Sequence, residues 1–328
     1  MKIILSFLVA FVVTFVVGRL LIPLLHRLKS GQSIKEDGPV WHMKKQGTPT
    51  MGGLMFIIGL AVALVVIGWP EWKQGQYGHL FVFLFALVYG AIGFVDDYVK
   101  VRKKQNTGLT APQKFLLQLA AAIAFTVVLR YFHFLTPDLY IPFFNVSIFL
   151  PWPVYMVFAA FVMVGTVNAV NITDGVDGLS TGVTMPVMLF FTAVATYWSQ
   201  TALAEFSAAL FGGLCAFLIY NFHPAKVFMG DTGSLFLGGA VCGLAFALDI
   251  PLVLLLVGII YIAETFSDII QVVYFKISHG KRIFRMAPLH HHFEMGGWSE
   301  VKLFCVFSGV TVLTCLLAFW GVMNRYPF

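Results

Sequence analysis

The chain has 328 residues, of which 59% are hydrophobic and 11% are charged, and its formal net charge is +6 at pH 7. A soluble domain usually has about 25% charged residues, and a soluble core of this length cannot bury 34 phenylalanines. The composition therefore excludes a soluble globular protein. It predicts an all-α polytopic membrane protein that forms a single domain over residues 1–328.

Ten apolar segments are long enough, or nearly long enough, to cross a bilayer, for which about 20 residues are needed. The predicted spans are 3–25, 52–69, 79–96, 114–132, 152–171, 180–199, 206–222, 234–249, 251–275 and 301–323. Lys2 and the apolar run to Val17 also resemble a signal peptide. No small-residue cleavage site follows, so we interpret the run as the first span, with cleavage as the alternative.

The basic residues are distributed unequally between the two sides. Sixteen of the 21 Lys and Arg lie in or next to the odd-numbered connections, numbered from the first span. The positive-inside rule places those connections in the cytoplasm and both termini in the periplasm. Most of the unusual polar motifs lie on the same side, so the sequence predicts an active-site cleft that opens to the cytoplasm.

Two adjacent carboxylates, Asp96 and Asp97, end an apolar span. Neighbouring negative charges raise each other's pKa unless a cation neutralises them, and the carboxyl end of a helix disfavours anions. A solvated helix end, compensated by basic residues such as Lys100, is the alternative. We favour a functional pair that binds Mg²⁺ or acts as a base toward a phosphate.

A second motif repeats a polar side chain every third residue, through Asn168, Asn171, Asp174 and Asp177. This spacing lines the side chains along one face for as long as the chain stays helical. Unpaired amides inside an apolar span are costly. The row therefore suits recognition of a base, a ribose or a sugar, and a polar loop with an Asx turn is the alternative.

Asp231 lies between Gly230 and Gly233, just before another span. It suits a helix cap or a metal ligand on a backbone that phosphate approaches closely.

Three further features are less specific. The run His290–His292 lies in the ninth connection. Three consecutive histidines do not all face one way, which argues against a zinc site from this run alone, whereas histidine also binds phosphate oxygens. Glu264 and Asp268 share a face of span nine, where they line a hydrated cleft or lie at the interface. Lys45 precedes a Gly- and Thr-rich loop that ends at Gly53 and resembles a phosphate nest.

Taken together, these motifs resemble the phospho-N-acetylmuramoyl-pentapeptide-transferase family and its wider polyprenyl-phosphate N-acetylhexosamine-1-phosphate transferase superfamily. The resemblance covers essentially the whole chain. The motifs that carry it are Lys45 to Gly53, Asp96–Asp97, Asn168 to Gly178, Phe228 to Ser234 and Pro288 to His292.

The resemblance implies ten transmembrane helices, with span nine broken or bent. It implies a Mg²⁺-dependent enzyme of the bacterial inner membrane that contributes to peptidoglycan synthesis. The donor is UDP-N-acetylmuramoyl-pentapeptide, the acceptor is undecaprenyl phosphate, and the products are the first lipid-linked precursor (lipid I) and UMP. A homodimer is implied, and a nucleic-acid partner is not.

The resemblance also implies residue roles. Asp231 matches the magnesium ligand, and the catalytic set is Asp96, Asp97, Asp231, His290 and His291. The substrate-binding set is Lys45, Lys100, Lys114, Asn168, Asn171, Asp174, Asp177 and Phe228, with Phe228 stacking on uracil.

Two mechanisms and two other functions stay open. The acceptor phosphate attacks the donor directly, with Asp96 or Asp97 as base or orienting group, or an Asp first forms a phospho-enzyme. We favour direct attack, because a phosphate monoester loses its second proton near pH 6. The other functions are a relative with a UDP-N-acetylglucosamine donor and a secondary transporter coupled through Glu264 and Asp268.

Overall fold

The computed structural model describes residues 1–28, 45–103 and 107–325. The basic residues Lys29, Lys35, Lys44 and Lys104, which contributed to the predicted orientation, lie outside the described residues. The helices are α1 (Lys2–Arg27), α2 (Leu54–Val66), α3 (Trp69–Lys73), α4 (Gly78–Lys103), α5 (Ala111–Tyr131), α6 (Trp152–Thr173), α7 (Leu179–Tyr197), α8 (Thr201–Asn221), α9 (Gly230–Ala247), α10 (Leu254–Val257), α11 (Ile259–Ile277), α12 (Leu289–Glu294) and α13 (Glu300–Val322).

Eight of the helices in the described ranges are long and apolar enough to cross a membrane. A ninth candidate is the pair Pro251–Val257 and Ile259–Ile277, which bends by 80°. The predicted second span is helical only over the 13 residues of α2, which makes it short for a full crossing. The polytopic helical architecture and the bend in span nine are confirmed. The count of ten crossings and the position of the termini stay predictions.

The all-α prediction omits a β-hairpin between α5 and α6. Strands β1 (Asp138–Ile141) and β2 (Val146–Phe149) pair antiparallel, with Asp138 opposite Phe149. Pro137, Pro142, Pro151 and Pro153 lie in and beside this stretch, and prolines favour irregular structure over a sheet. Between them are two short runs of strand-forming residues, Tyr140–Ile141 and Val146–Phe149. These runs are sufficient for one hairpin.

Helix α9 lies at the centre of the bundle and is the most buried of the eight candidate spans. It packs along α4 on one side and against α6 on another. Small residues permit the close contact with α4, as membrane helix pairs commonly require. A Cβ added to Gly90 would meet the Phe236 Cβ atom at 3.2 Å, and one added to Gly239 would meet the Cα atom of Ala86 at 2.9 Å.

The hairpin end of the bundle is tied to the last helix by a separate polar network. The Phe143 backbone N–H donates to the Gly321 carbonyl at 2.8 Å. Asp249, which follows α9, pairs with Arg325 at 2.6 Å and accepts from Thr136 at 2.7 Å. These contacts fix the end of the bundle that lies away from the motif-bearing connections.

The closest approach of α4 to α9 gives the first prediction. A Cβ at Gly93 would collide with the backbone carbonyl of Asp231, which has little freedom to move. We expect Gly93→Ala to cost about 1–3 kcal/mol of stability by overpacking and to displace the first turn of α9. Thermal unfolding of the detergent-solubilised protein measures the change.

Gly165→Ala is the matched control, because α6 offers open space at that position. An equal loss of thermal stability in the two variants would contradict the steric explanation.

Candidate active site

Three carboxylates from two helices meet at one end of the bundle. Asp96 and Asp97 lie near the carboxyl end of α4, and Asp231 lies in the first turn of α9. One oxygen from each carboxylate lies within 4.8 Å of the others. Asp96 and Asp97 are each only 3% exposed. The structure therefore brings these three residues together, and we call them the acidic centre.

Asp97 holds the start of α9. Its Oδ2 accepts from the Thr232 backbone N–H at 2.9 Å and from the Thr232 hydroxyl at 2.7 Å, and its Oδ1 accepts from the Asp231 N–H at 3.2 Å. First-turn N–H groups have no partner within their helix, so a carboxylate there satisfies them and complements the helix dipole. Gly230 has φ +69°, which an L side chain rarely adopts, and this turns the chain into α9 beside Asp97.

Asp231 is surrounded by donors. Its Oδ2 pairs with Lys114 at 2.8 Å and with Lys100 at 3.0 Å, and its Oδ1 accepts from the Asn171 amide at 2.9 Å. The Asp231 side chain does not cap its own helix, so the alternative that Asp231 is only a helix cap is wrong. The structure brings two predicted basic residues and one predicted amide onto this carboxylate.

Asp96 completes the centre. Its Oδ2 pairs with Lys100 at 2.6 Å, and its Oδ1 accepts from the Leu109 backbone N–H at 2.7 Å. Three carboxylates and two ammonium groups, Lys100 and Lys114, leave a formal charge of −1 when all are ionised. A phosphate would be repelled by that charge, whereas one divalent cation would make it +1. Carboxylate oxygens are also the ligands that Mg²⁺ prefers, so these residues fit a magnesium ion.

The polar row of α6 divides into separate contacts as the helix ends at Thr173. The Asn168 amide donates to Gln118 at 2.7 Å, and the Asn171 amide reaches both Asp231 and Ser234. Burial raises the pKa of Asp174 well above its ordinary value, and the negative charges of Asp231 and Asp97 add to this effect. Asp174 therefore lies beside the acidic centre, whereas Asp177 belongs to another cluster.

His290 is fixed by a buried glutamate. Its ring Nδ1 lies 2.9 Å from Glu264 Oε2, and its backbone N–H donates to Glu264 Oε1 at 3.1 Å. Both residues are almost completely buried, at 1% and 0% exposure. The other ring nitrogen, Nε2, is buried against Gly175, next to Asp174, and has no hydrogen-bond partner within the described parts of the chain. Glu264 thereby aims Nε2 at the acidic side of the site.

The other two histidines face elsewhere, as expected for three in succession. His291 Nδ1 lies 2.7 Å from Glu294 Oε2, one turn along α12. His292 Nδ1 accepts from the Arg285 backbone N–H at 3.1 Å, which orders the preceding basic loop. The ring centroids of His290 and His291 lie 4.2 Å apart.

A second cluster joins Lys45 to the end of the polar row. Lys45 Nζ lies 2.7 Å from Asp177 Oδ1 and 2.6 Å from Glu300 Oε2. His223 Nδ1 lies 3.0 Å from Asp177 Oδ2. These side chains line a cavity of about 620 Å³, together with Thr48, Trp298 and Glu294. We call Lys45, Asp177, His223 and Glu300 the lysine cluster.

Phe228 lies in the segment before α9. Its backbone N–H donates to the Pro49 carbonyl at 2.9 Å, and its carbonyl accepts from the Gly52 N–H at 2.8 Å. Its side chain is half-buried. The Gly- and Thr-rich loop therefore packs on the Phe228 strand-like segment through backbone bonds, and its predicted role as a phosphate nest stays a prediction.

Sequence reasoning missed several residues that shape these groups. Thr232 and Gln118 looked like ordinary polar residues of a helix, and Glu300 like an ordinary acid of a first turn. For Glu264 the signal was present, because an ionisable group inside an apolar span is costly. Its partner, 26 residues later, was not visible from spacing.

Comparison with known proteins decides the family. The model for glycosyl transferase family 4 matches residues 79–249, and signature 1 of phospho-N-acetylmuramoyl-pentapeptide-transferase matches residues 45–57. The protein of that name from Clostridium acetobutylicum is 48% identical over 323 residues, which cover 98% of this chain and 99% of the relative. The chain belongs to the phospho-N-acetylmuramoyl-pentapeptide-transferase family.

Other members agree over a similar extent. The phospho-N-acetylmuramoyl-pentapeptide-transferase of a Thermoanaerobacter species is 46% identical over 98% of this chain and 99% of the relative. The transferase of Listeria innocua is 44% identical over 95% of this chain and 96% of the relative. The family assignment therefore covers both the acidic centre and the lysine cluster, and the resemblance that the motifs indicated is confirmed.

The Glu264–His290 pair gives the second prediction. In Glu264→Gln the amide accepts one hydrogen bond but loses the charge that holds the ring. We expect the transfer rate per folded enzyme to fall about 10–100-fold, the range found for carboxylate partners of histidines at metal sites.

Asp268→Asn, one turn further along α11, is the matched control and is expected to retain activity. The steady-state rate in purified protein measures both variants. A Glu264→Gln enzyme with normal turnover would show that His290 needs no such support.

Proposed function

We propose that this protein transfers phospho-N-acetylmuramoyl-pentapeptide from UDP to undecaprenyl phosphate, giving lipid I and UMP at the cytoplasmic face of the bacterial inner membrane. The observation that carries the proposal is the acidic centre, in which Asp96, Asp97 and Asp231 meet two lysines. It lies within a chain that belongs to the transferase family over nearly its full length.

The location of the centre suits substrates of opposite solubility. Asp97 lies near the carboxyl end of α4 and Asp231 near the amino end of α9, so the centre lies where two apolar helices terminate. A water-soluble nucleotide donor and a phosphate on a lipid meet only at such an interface. The excess of Lys and Arg in the adjoining connections supports the cytoplasmic side.

We propose Mg²⁺ as the cofactor, held by Asp231 with Asp96 and Asp97 beside it. When bound, the ion would neutralise phosphate oxygens as negative charge develops on them. The chain supplies further positive charge through Lys100 and Lys114, whose ammonium groups already converge on Asp231. The lysines are placed to bind the donor diphosphate and to stabilise the UMP that departs.

The reaction exchanges one pyrophosphate bond for another. An oxygen of the acceptor phosphate forms a bond to the donor β-phosphorus, and the bond from that phosphorus to the bridging oxygen breaks. The bridging oxygen leaves with UMP and keeps the electron pair. No water is consumed, and no separate energy source is required, since the bond formed is of the same class as the bond broken.

The contacts of Asp97 favour direct attack by the acceptor. Both of its oxygens accept hydrogen bonds from the first turn of α9, including two from Thr232. A carboxylate that is held in this way is a weak nucleophile, and a phospho-aspartate would break those bonds. We therefore assign to Asp97 and Asp96 the orientation of acceptor and cation.

The remaining predicted residues are assigned to binding. The uracil ring of the donor stacks on Phe228. The other residues that bind the donor are Lys45, Asn168, Asn171, Asp174 and Asp177. His290 and His291 contact phosphate oxygens, and the Glu264 contact supports this role for His290 because it fixes the ring. The homodimer stays a prediction.

The competing functions are less well supported. The relatives named above are all muramoyl-pentapeptide transferases, which favours that donor over UDP-N-acetylglucosamine. A transporter would leave Glu264 available to a coupling ion, whereas here it is bound to His290.

The third prediction tests the function. Purified enzyme in vesicles with undecaprenyl phosphate and Mg²⁺ is expected to release UMP and form a lipid-linked product from UDP-N-acetylmuramoyl-pentapeptide. UDP-N-acetylglucosamine is expected to give neither product. Chromatography of UMP and of labelled lipid measures both.

A reaction without lipid separates the two mechanisms. With donor alone we expect no UMP, because the acceptor supplies the attacking oxygen. A burst of UMP equal to the enzyme concentration, or a trapped phospho-aspartate, would contradict direct attack.

The fourth prediction tests the metal centre. Asp231→Asn removes one negative charge and the shared contact of Lys100 and Lys114, so we expect UMP release to fall at least 10³-fold at every Mg²⁺ concentration.

Asp138→Asn, an exposed carboxylate in β1 at the hairpin end, is the control and is expected to retain its Mg²⁺ dependence. Correct membrane insertion of both variants is checked by detergent extraction and size-exclusion chromatography. Normal Mg²⁺-dependent release from Asp231→Asn would remove the metal assignment.

A further inference from the structure

Glu300 is an acidic residue that motif analysis did not select. It lies in the first turn of α13, behind a Ser299 cap whose side chain accepts from the Lys302 N–H. An acidic residue in a first turn usually faces water and complements the helix dipole. Glu300 is instead only 9% exposed and borders the cavity of the lysine cluster.

The Glu300 carboxylate joins three other chain segments. Its Oε2 accepts from Lys45 Nζ at 2.6 Å and from the Asp177 backbone N–H at 3.0 Å. Its Oε1 lies 3.5 Å from His223 Nδ1. Lys45 in turn pairs with the Asp177 side chain at 2.7 Å, so Lys45, Asp177 and Glu300 form a closed triangle.

The triangle restricts two residues that would otherwise be mobile. A lysine side chain has many rotamers, and confining it costs conformational entropy before any ligand arrives. Two carboxylates fix the Lys45 ammonium group, and the backbone bond fixes the turn that carries Asp177. Binding then requires less ordering, which is how preorganisation raises affinity.

The charge of the cluster indicates which step it serves. The Lys45 ammonium and the carboxylates of Asp177 and Glu300 together carry a formal charge of −1, which does not favour a diphosphate. The cluster suits hydrogen bonding to uncharged polar groups of the donor, whereas the diphosphate belongs with Lys100 and Lys114. Loss of Glu300 should therefore weaken donor binding and leave the chemical step intact.

We propose that Glu300 is a positioning residue that holds Lys45 and Asp177 in the geometry that binds the nucleotide-sugar donor. The proposal rests on the proposed function. Glu300 itself need not touch the donor, since its Oε2 accepts from both Lys45 and the Asp177 N–H, and its Oε1 lies 3.5 Å from His223 Nδ1.

The fifth prediction concerns Glu300→Gln, in which an uncharged amide replaces the carboxylate. We expect the KM for UDP-N-acetylmuramoyl-pentapeptide to rise about tenfold, the loss typical of one charge-assisted hydrogen bond. The KM for undecaprenyl phosphate and kcat are expected to stay within about twofold. Initial rates with each substrate varied in turn measure the three constants.

A double-variant cycle tests whether Glu300 acts through Lys45. In a Lys45→Gln background, Glu300→Gln is expected to change the donor KM less than about threefold, because the charged contact with Lys45 is already gone and the substituted amide oxygen still accepts from the Asp177 N–H. A full tenfold change in both backgrounds would overturn the positioning role.

The matched control is Glu71→Gln. Glu71 is also a buried glutamate that pairs with a lysine, Lys2, but it lies in α3, away from the cavity. Its substitution is expected to leave the donor KM unchanged. An equal rise in the two variants would show a general effect on stability and contradict the proposal.

If Glu300→Gln does not accumulate in membranes, a second variant tests the same proposal. Glu300→Asp keeps the charge but withdraws the carboxylate, and the same donor-selective rise is expected. If the unaltered enzyme makes lipid I and either variant has an unchanged donor KM, the positioning role is wrong. If unaltered enzyme makes none, the proposed function itself is wrong.

Discussion

The bond between the Asp97 carboxylate and the first turn of α9 is the interaction on which the site depends. It joins the carboxyl end of one apolar helix to the amino end of another, and each end alone would leave polar groups unsatisfied. Because the bond brings α4 and α9 together, Asp96 and Asp231 become neighbours. The need to satisfy polar groups at the ends of two membrane helices thus brings three carboxylates close together.

Lysines then make this concentration of charge tolerable. Lys100 lies one turn after Asp96 on the same helix and also reaches Asp231, while Lys114 arrives from α5. Removing one partner from a buried charged group costs more than the pair itself contributes. The lysines therefore stabilise the acidic centre, and the phosphate binding proposed for them would use the same ammonium groups.

The sequence predicted residues whose local context was unusual. Asp96 and Asp97 stood out because two acids end an apolar run, and the row from Asn168 stood out because amides recur inside a span. The hairpin at 138–149 did not, since its prolines favour irregular structure. Thr232 and Glu300 did not either, because their neighbours in the chain are typical of a helix start, and only the packed structure shows what their side chains contact.

The division of the polar row illustrates a second limit of sequence patterns. Asn171 and Asp177 have helical spacing, yet they belong to different groups because α6 ends at Thr173 and the chain turns through Gly175 and Gly178. A period of three predicted one shared face. The structure uses the turn to place one member at the acidic centre and another in the lysine cluster.

The pairing of Lys45 with Glu300 spans 255 positions of the chain. Membrane proteins are inserted as they are synthesised, so Lys45 enters the bilayer region long before Glu300 has been translated. The lysine cluster is therefore incomplete until the last helix has begun to form. A chain that is arrested before that point would contain the acidic centre without a finished lysine cluster.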